Sequence, residues 1–153
     1  MAEEFRIDGV KGFIDSIDAL IEAIETATKI AVRDGASLIE RNAKQGFAGQ
    51  HPLGTPRPIP DDPRPYAVTE ALKRSIGRFP SQPYHASRGI WQQSVAPTME
   101  YGRRIELGFT GQDSALRTYK QPAYPYLGPA VKKAIPELPR IFLARWNAVL
   151  ERP

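Results

Sequence analysis

Two histidines, one adjacent pair of acids and one serine among glycines are the residues of this chain best suited to chemistry. His51 precedes Pro52 in a proline-rich stretch, and His85 lies in the turn-like segment PYHAS. Neither stands at helical spacing from a carboxylate, and no His-x-x-x-His pair is present to begin a zinc site. Each reads as a surface histidine. Asp61-Asp62 could bind a divalent cation weakly, but between Pro60 and Pro63 the pair more simply keeps a loop solvated. Asp113 and Ser114 sit in GFTGQDS, without the G-x-S-x-G elbow of a serine hydrolase or the glycine-lysine pattern of a phosphate loop. No enzyme activity, cofactor or metal is expected from these residues.

The elements that would position any site are legible from periodicity. Phe13, Ile17, Leu20, Ile21, Ile24, Ala27, Ala31, Leu38 and Ile39 recur at three- and four-residue steps, which predicts a long helix over Phe13 to Lys44. Such a helix is ~48 Å long at ~1.5 Å per residue. Gly35 costs it about 1 kcal/mol relative to alanine. Either the helix bends at Asp34-Gly35 or a neighbouring subunit supports it. Gly46 marks its end.

An arm over about residues 46–66 follows, with prolines at 52, 56, 58, 60, 63 and 65. Proline fixes φ and removes a donor, so regular helix and central strand are excluded there. The arm is either a reach toward another subunit or a surface insertion. A short helix is expected over Ala67 to Ile76. Two antiparallel strands are expected in SRGIWQQSVAP and MEYGRRIELGF, turned at Pro97-Thr98, although the second also fits a short helix. TGQDSALRTYKQPAYPY reads as a loop.

The last segment restarts as a helix at Pro129 and is broken at Pro136 and Pro139. Its apolar stripe is Leu138, Ile141, Phe142, Trp146, Val149 and Leu150. Burial of that stripe roughly offsets the entropy of ordering it, so this helix should exist only docked. The layout is α+β: long helix, short helix, small antiparallel sheet and proline-broken C-terminal helix, in a single domain over residues 1–153.

Composition bounds the partners. The 153 residues contain no cysteine, which excludes disulfides and thiolate metal sites. The N-terminus lacks the apolar core of a signal peptide, and no stretch is long and apolar enough to span a membrane, so the chain reads as soluble and cytoplasmic in origin. Residues 1–28 carry seven acids and two bases, leaving a surplus of nine positive charges on the rest of a chain whose net charge is +4. Across residues 71–133 ten bases face three acids, interleaved with six tyrosine and tryptophan residues. That composition suits a phosphate-tracking surface, but no sequence-reading DNA or RNA motif accompanies it.

Four segments in order carry a resemblance: AVRDGASLIERNAKQ, TEALKRSI, YGRRIELGF and QPAYPYLGPAVKKA. Together they resemble the head–tail joining, or tail-completion, family of long-tailed non-contractile bacteriophages. Thr69, Leu72, Ser75 and Ile76 match its second motif, and Tyr101, Glu106 and Gly108 its third, strand-like one. Pro122, Pro125, Tyr126, Leu127, Pro129 and Ala130 match the fourth. Glu70 and Ala71 replace the usual turn glycine, Gly102 a usual alanine, and Phe109 stands where threonine is common.

The resemblance implies a virion protein, assembled in the host cytoplasm, that forms a six-fold ring between the head-side connector and the tail tube, with DNA passing through the lumen. The candidate interface residues are then Pro58, Pro60, Tyr66, Tyr101, Glu106, Pro125, Tyr126 and Leu127. Arg103, Arg104, Lys132 and Lys133 are the candidate DNA-facing bases. A tail terminator that caps the tube is the alternative within the class, and a non-specific nucleic-acid-binding module the alternative outside it. Tyr126 and Leu127 are expected to anchor the proline strip, either to the core or to a neighbour.

Overall fold

The computed structural model of the chain describes residues 9–52, 54–59, 61–79, 90–112 and 115–151. The fold is α+β. Helix α1 runs unbroken over Val10–Gln45, ~54 Å at 1.5 Å per residue. It stops at Gly46, whose N–H bonds back to the carbonyls of Asn42 and Ala43. Where the sequence predicts a bend at Asp34-Gly35 or support from a neighbouring subunit, α1 is continuous and its second half is held by the chain's own C-terminal helices. These are α4 (Leu127–Ala134), a 3-10 turn (Ile135–Glu137) and α5 (Leu138–Leu150), which return along α1. A Cβ on Gly35 would lie 2.9 Å from Leu138 Cδ2, so the glycine permits the close approach of α5. Trp146 Nε1–H donates to Thr28 Oγ1 at 3.0 Å, and Arg145 Nε–H donates to Asp34 at 2.8 Å. The prolines at 136 and 139 break this rod where expected.

Helix α2 spans only Ala71–Ser75. It cannot begin at Ala67, because Ala67 exchanges backbone hydrogen bonds with the arm and Glu70 takes the left-handed conformation at φ 57°. Two two-stranded antiparallel sheets replace the single small sheet expected. In the first, β1 (Ile76–Arg78) pairs with β2 (Val95–Pro97), register Gly77 to Ala96. The segment expected to pair with β2 is instead helix α3 (Gly102–Leu107). The second sheet is a hairpin of β3 (Phe109–Gln112) and β4 (Thr118–Gln121), in the stretch read as loop.

The core is small. Ala43, Phe47, Ala67, Leu72, Ile76, Tyr126 and Ala130 form it, with Val95, Ile105 and Leu127 packed against its edge. Among the described residues eleven hydrophobic side chains are buried, and seven of them are alanine. Alanine lets α1 and α4 approach closely but removes little apolar area from water. Twenty larger apolar or aromatic side chains remain exposed among the described residues, Leu150 of the expected C-terminal stripe included.

Candidate functional site

Tyr126 and Glu106 join the segments that carry the third and fourth motifs. Tyr126 is 1% exposed, its ring 5.4 Å from that of Phe47 at the end of α1. Its hydroxyl donates to Gly102 O at 3.2 Å. Burial, with the Glu106 carboxylate and Tyr101 nearby, pushes the Tyr126 hydroxyl up to about 12. Tyr126 therefore anchors to the chain's own core, not to a neighbour. Glu106 reaches from α3 to the start of α4, where it accepts from three consecutive backbone N–H groups. Oε2 takes Tyr126 N at 2.7 Å and Leu127 N at 2.9 Å, and Oε1 takes Gly128 N at 2.8 Å. Those amides are the orphan donors of a helix start, and a carboxylate there also meets the positive end of the helix dipole.

Two glycines make this junction possible. Gly108 has φ 75°, and a Cβ there would sit 3.0 Å from both Ala123 N and Gln121 O. At Gly102 a Cβ would fall 2.5 Å from Pro97 Cγ and 3.1 Å from Leu72 Cδ1. The glycine standing where the resembled family has alanine is thus matched to Pro97.

The proline arm is closed on its own chain. Ala48 N–H bonds to Pro65 O at 2.9 Å, Ala67 N–H to Gly49 O at 2.8 Å and His51 N–H to Ala67 O at 3.2 Å. Arg57 stacks on Tyr124 at 3.9 Å and faces Tyr66 at 4.9 Å, while its guanidinium donates to the carbonyls of Asp62 and Arg64. His51 is buried, not on the surface: its Nε2–H donates to Pro56 O at 2.8 Å. Asp62 is also buried and pairs with Arg64 through its side chain and its backbone N–H. Those contacts hold the Asp62 carboxyl down at about 2. The acid pair is therefore split, Asp62 locked within the loop and Asp61 exposed.

Of the arm residues expected at an interface, Pro58 is exposed at the tip, Tyr66 is half-buried, and Pro60 lies outside the described residues, as do His85, Asp113 and Ser114. Tyr66, Tyr101, Tyr124, His51 and Arg57 line an apolar cleft of about 250 Å³ at the base of the loop. Pro125 and Leu127 are half-buried beside Tyr126. The four expected bases are exposed but divided between two helices: Arg103 and Arg104 on α3, Lys132 and Lys133 on α4. Arg104 lies 4.7 Å from the Phe109 ring centre.

Sequence reasoning missed the exposed start of α1. Val10, Phe13, Ile14, Ile17, Leu20 and Ile21 are all exposed, Phe13 at 67%. They lie ahead of the stretch of α1 that α5 contacts at Thr28, Asp34 and Gly35. Helix α5 runs back along α1 only to where Val149 lines a shallow cleft with Ala19 and Ala23, so the first nine residues of α1 project beyond it. Periodicity identified the stripe but not the length of the helix that covers it.

Among the described residues, no three histidine, aspartate or glutamate side chains are grouped to hold a metal ion, and no helix is long and apolar enough to cross a membrane. Comparison with protein-family models, curated proteins and solved structures returned no match.

Proposed function

We propose that this chain is a structural component of a bacteriophage neck, working by assembly into a ring between the head connector and the tail tube. The observation that carries the assembly reading is the imbalance of apolar surface. An alanine-dominated core coexists with a long exposed stripe on α1, and contiguous exposed apolar surface on a folded domain marks a contact with another molecule. The placement in the neck rests on the resemblance. It gains support from the way the third and fourth motif segments meet at Tyr126 and Glu106, so that the motif residues serve one junction. Arg103 and Arg104, exposed on α3, are the bases offered to DNA in the lumen.

The test is immunogold labelling of virions produced by the genome that encodes the chain. Label confined to the head–tail junction is the expected result. Particles without label, or label on capsid or tail tip, would overturn the reading. Cryo-electron microscopy of the same particles separates tail completion from tail termination by showing whether this subunit touches the tube or the head connector.

A further inference from the structure

We propose that the projecting start of α1 docks on the outer flank of α4–α5 of a second copy of this chain, making a head-to-tail contact. The proposal rests on the assembly reading and names its surfaces.

The donor surface is the stripe Val10, Phe13, Ile14, Ile17, Leu20 and Ile21, whose spacings place it on one helix face. Along one side of it runs a ridge of acids. Asp15, Asp18, Glu22 and Glu25 follow at steps of three, four and three, and all four are exposed. Against the single base Lys11, residues 10–27 carry a net charge of −3.

The acceptor must be apolar, exposed and basic. The flank of the C-terminal rod meets all three conditions. Val131, Ile135, Leu143 and Leu150 are exposed on it, Ile135 at 57% and Leu143 at 54%. Lys132 and Arg140 are exposed on the same rod, as is Lys133 on its side toward Asn42 and Gln45, and against Glu137 residues 131–143 carry a net +2. Lys132 and Lys133, expected to face DNA, are assigned here to the contact between subunits.

Charge also selects against the simplest rival, pairing of two α1 starts. In an antiparallel pair related by a two-fold axis, both acidic ridges fall on the same side of the seam and repel. The proposed contact uses two different surfaces. Repetition therefore closes a ring or propagates a filament, whereas a two-fold contact would stop at a dimer.

The absence of native cysteine makes disulfide trapping clean. Full-length Ile17→Cys and Leu143→Cys proteins, carrying tags of different size, are mixed under mild oxidation at the highest soluble concentration. A cross-linked species containing both tags is expected, at least tenfold more abundant than either homodimer. Predominant Ile17→Cys homodimers would overturn the proposal in favour of α1 self-pairing, and absence of the mixed species would overturn it outright. In the second arm, Asp15→Lys/Asp18→Lys/Glu22→Lys in the Ile17→Cys chain should abolish the mixed product. Lys132→Glu/Lys133→Glu/Arg140→Glu in the Leu143→Cys chain should restore it, and failure of that rescue counts against the contact. Loss of virion labelling with the mixed cross-link intact would remove the neck reading alone. The converse result would remove only the contact.

Discussion

The carboxylate of Glu106 accepts hydrogen bonds from the backbone of Tyr126 and the two residues that follow it, so the last turn of α3 caps the first turn of α4. The two helices are more than a dozen residues apart in sequence, with the β3–β4 hairpin between them. A helix start that lacks a side-chain cap of its own is thereby completed from elsewhere in the fold.

Glu106→Ala should destabilise the protein by about 2 kcal/mol, because several helix-start amides lose a charged acceptor. Glu106→Gln keeps one acceptor oxygen and should lose about half as much. Urea denaturation checks both, with an unchanged m-value showing that the change lies in stability. Equal stabilities for alanine and wild type would show that water replaces the cap without cost.

Tyr126 makes stability sensitive to alkali. Its hydroxyl ionises near 10 in the unfolded chain and at about 12 when folded. The contribution is therefore complete below pH ~10 and is lost as pH rises toward ~12. Melting temperatures from pH 8 to 12 should fall more steeply for wild type than for Tyr126→Phe, which has no proton to lose. At neutral pH Tyr126→Phe should cost about 1 kcal/mol for the bond to Gly102 O, and Tyr126→Ala about 3–5 kcal/mol for the lost packing.

Glu70 occupies a left-handed backbone position, φ 57°, that glycine adopts freely. Glu70→Gly should raise stability by roughly 1 kcal/mol through relief of that strain. The replaced side chain offers only exposed contacts to Gln50 and Arg74 in return, at 3.3 and 3.5 Å. Thermal unfolding decides the sign.

Asp62 should titrate at about 2, not near 3.8, because Arg64 holds it ionised through side-chain and backbone bonds. A depressed carboxyl stabilises the loop above the unfolded value, and that support disappears as pH falls through about 2. The Arg64 amide proton, bonded to Asp62 Oδ1 at 2.9 Å, reports it directly. Its chemical shift should move with an inflection near 2 in the wild type and show none in Asp62→Asn.

Phe13→Ser/Ile17→Ser should leave the unfolding free energy of the isolated chain within about 0.5 kcal/mol of wild type, since both side chains are already exposed. The same variant should fail to incorporate into virions. A large loss of monomer stability would place these residues in the chain's own core.

Periodicity made α1 legible, because a 3.6-residue repeat and a terminal glycine are local signals. The segment YGRRIEL was not legible in the same way. Its residues alternate as a strand would, yet Tyr101 and Ile105 are also four apart, and Ile105 N–H bonds to Tyr101 O at 3.1 Å. Tertiary contacts resolve that ambiguity: Gly102 against Pro97 and Glu106 against α4. The β3–β4 hairpin left no apolar alternation to read, since most of its side chains lie exposed. His51 looked like a surface residue because its partner, a proline carbonyl five positions on, leaves no mark in composition. The motif resemblance did single out Glu106 and Tyr126, but nothing in their spacing shows that they touch.

Helix α1 is one hydrogen-bonded rod, packed by α4 and α5 along its second half and exposed over its first turns. It therefore acts as a lever. A displacement of 1 Å at the tip of a rod ~54 Å long is an angular change of about one degree at the body. Docking the tip would set the tilt of the subunit finely, and a chain of identical tilts determines how many copies complete a circle.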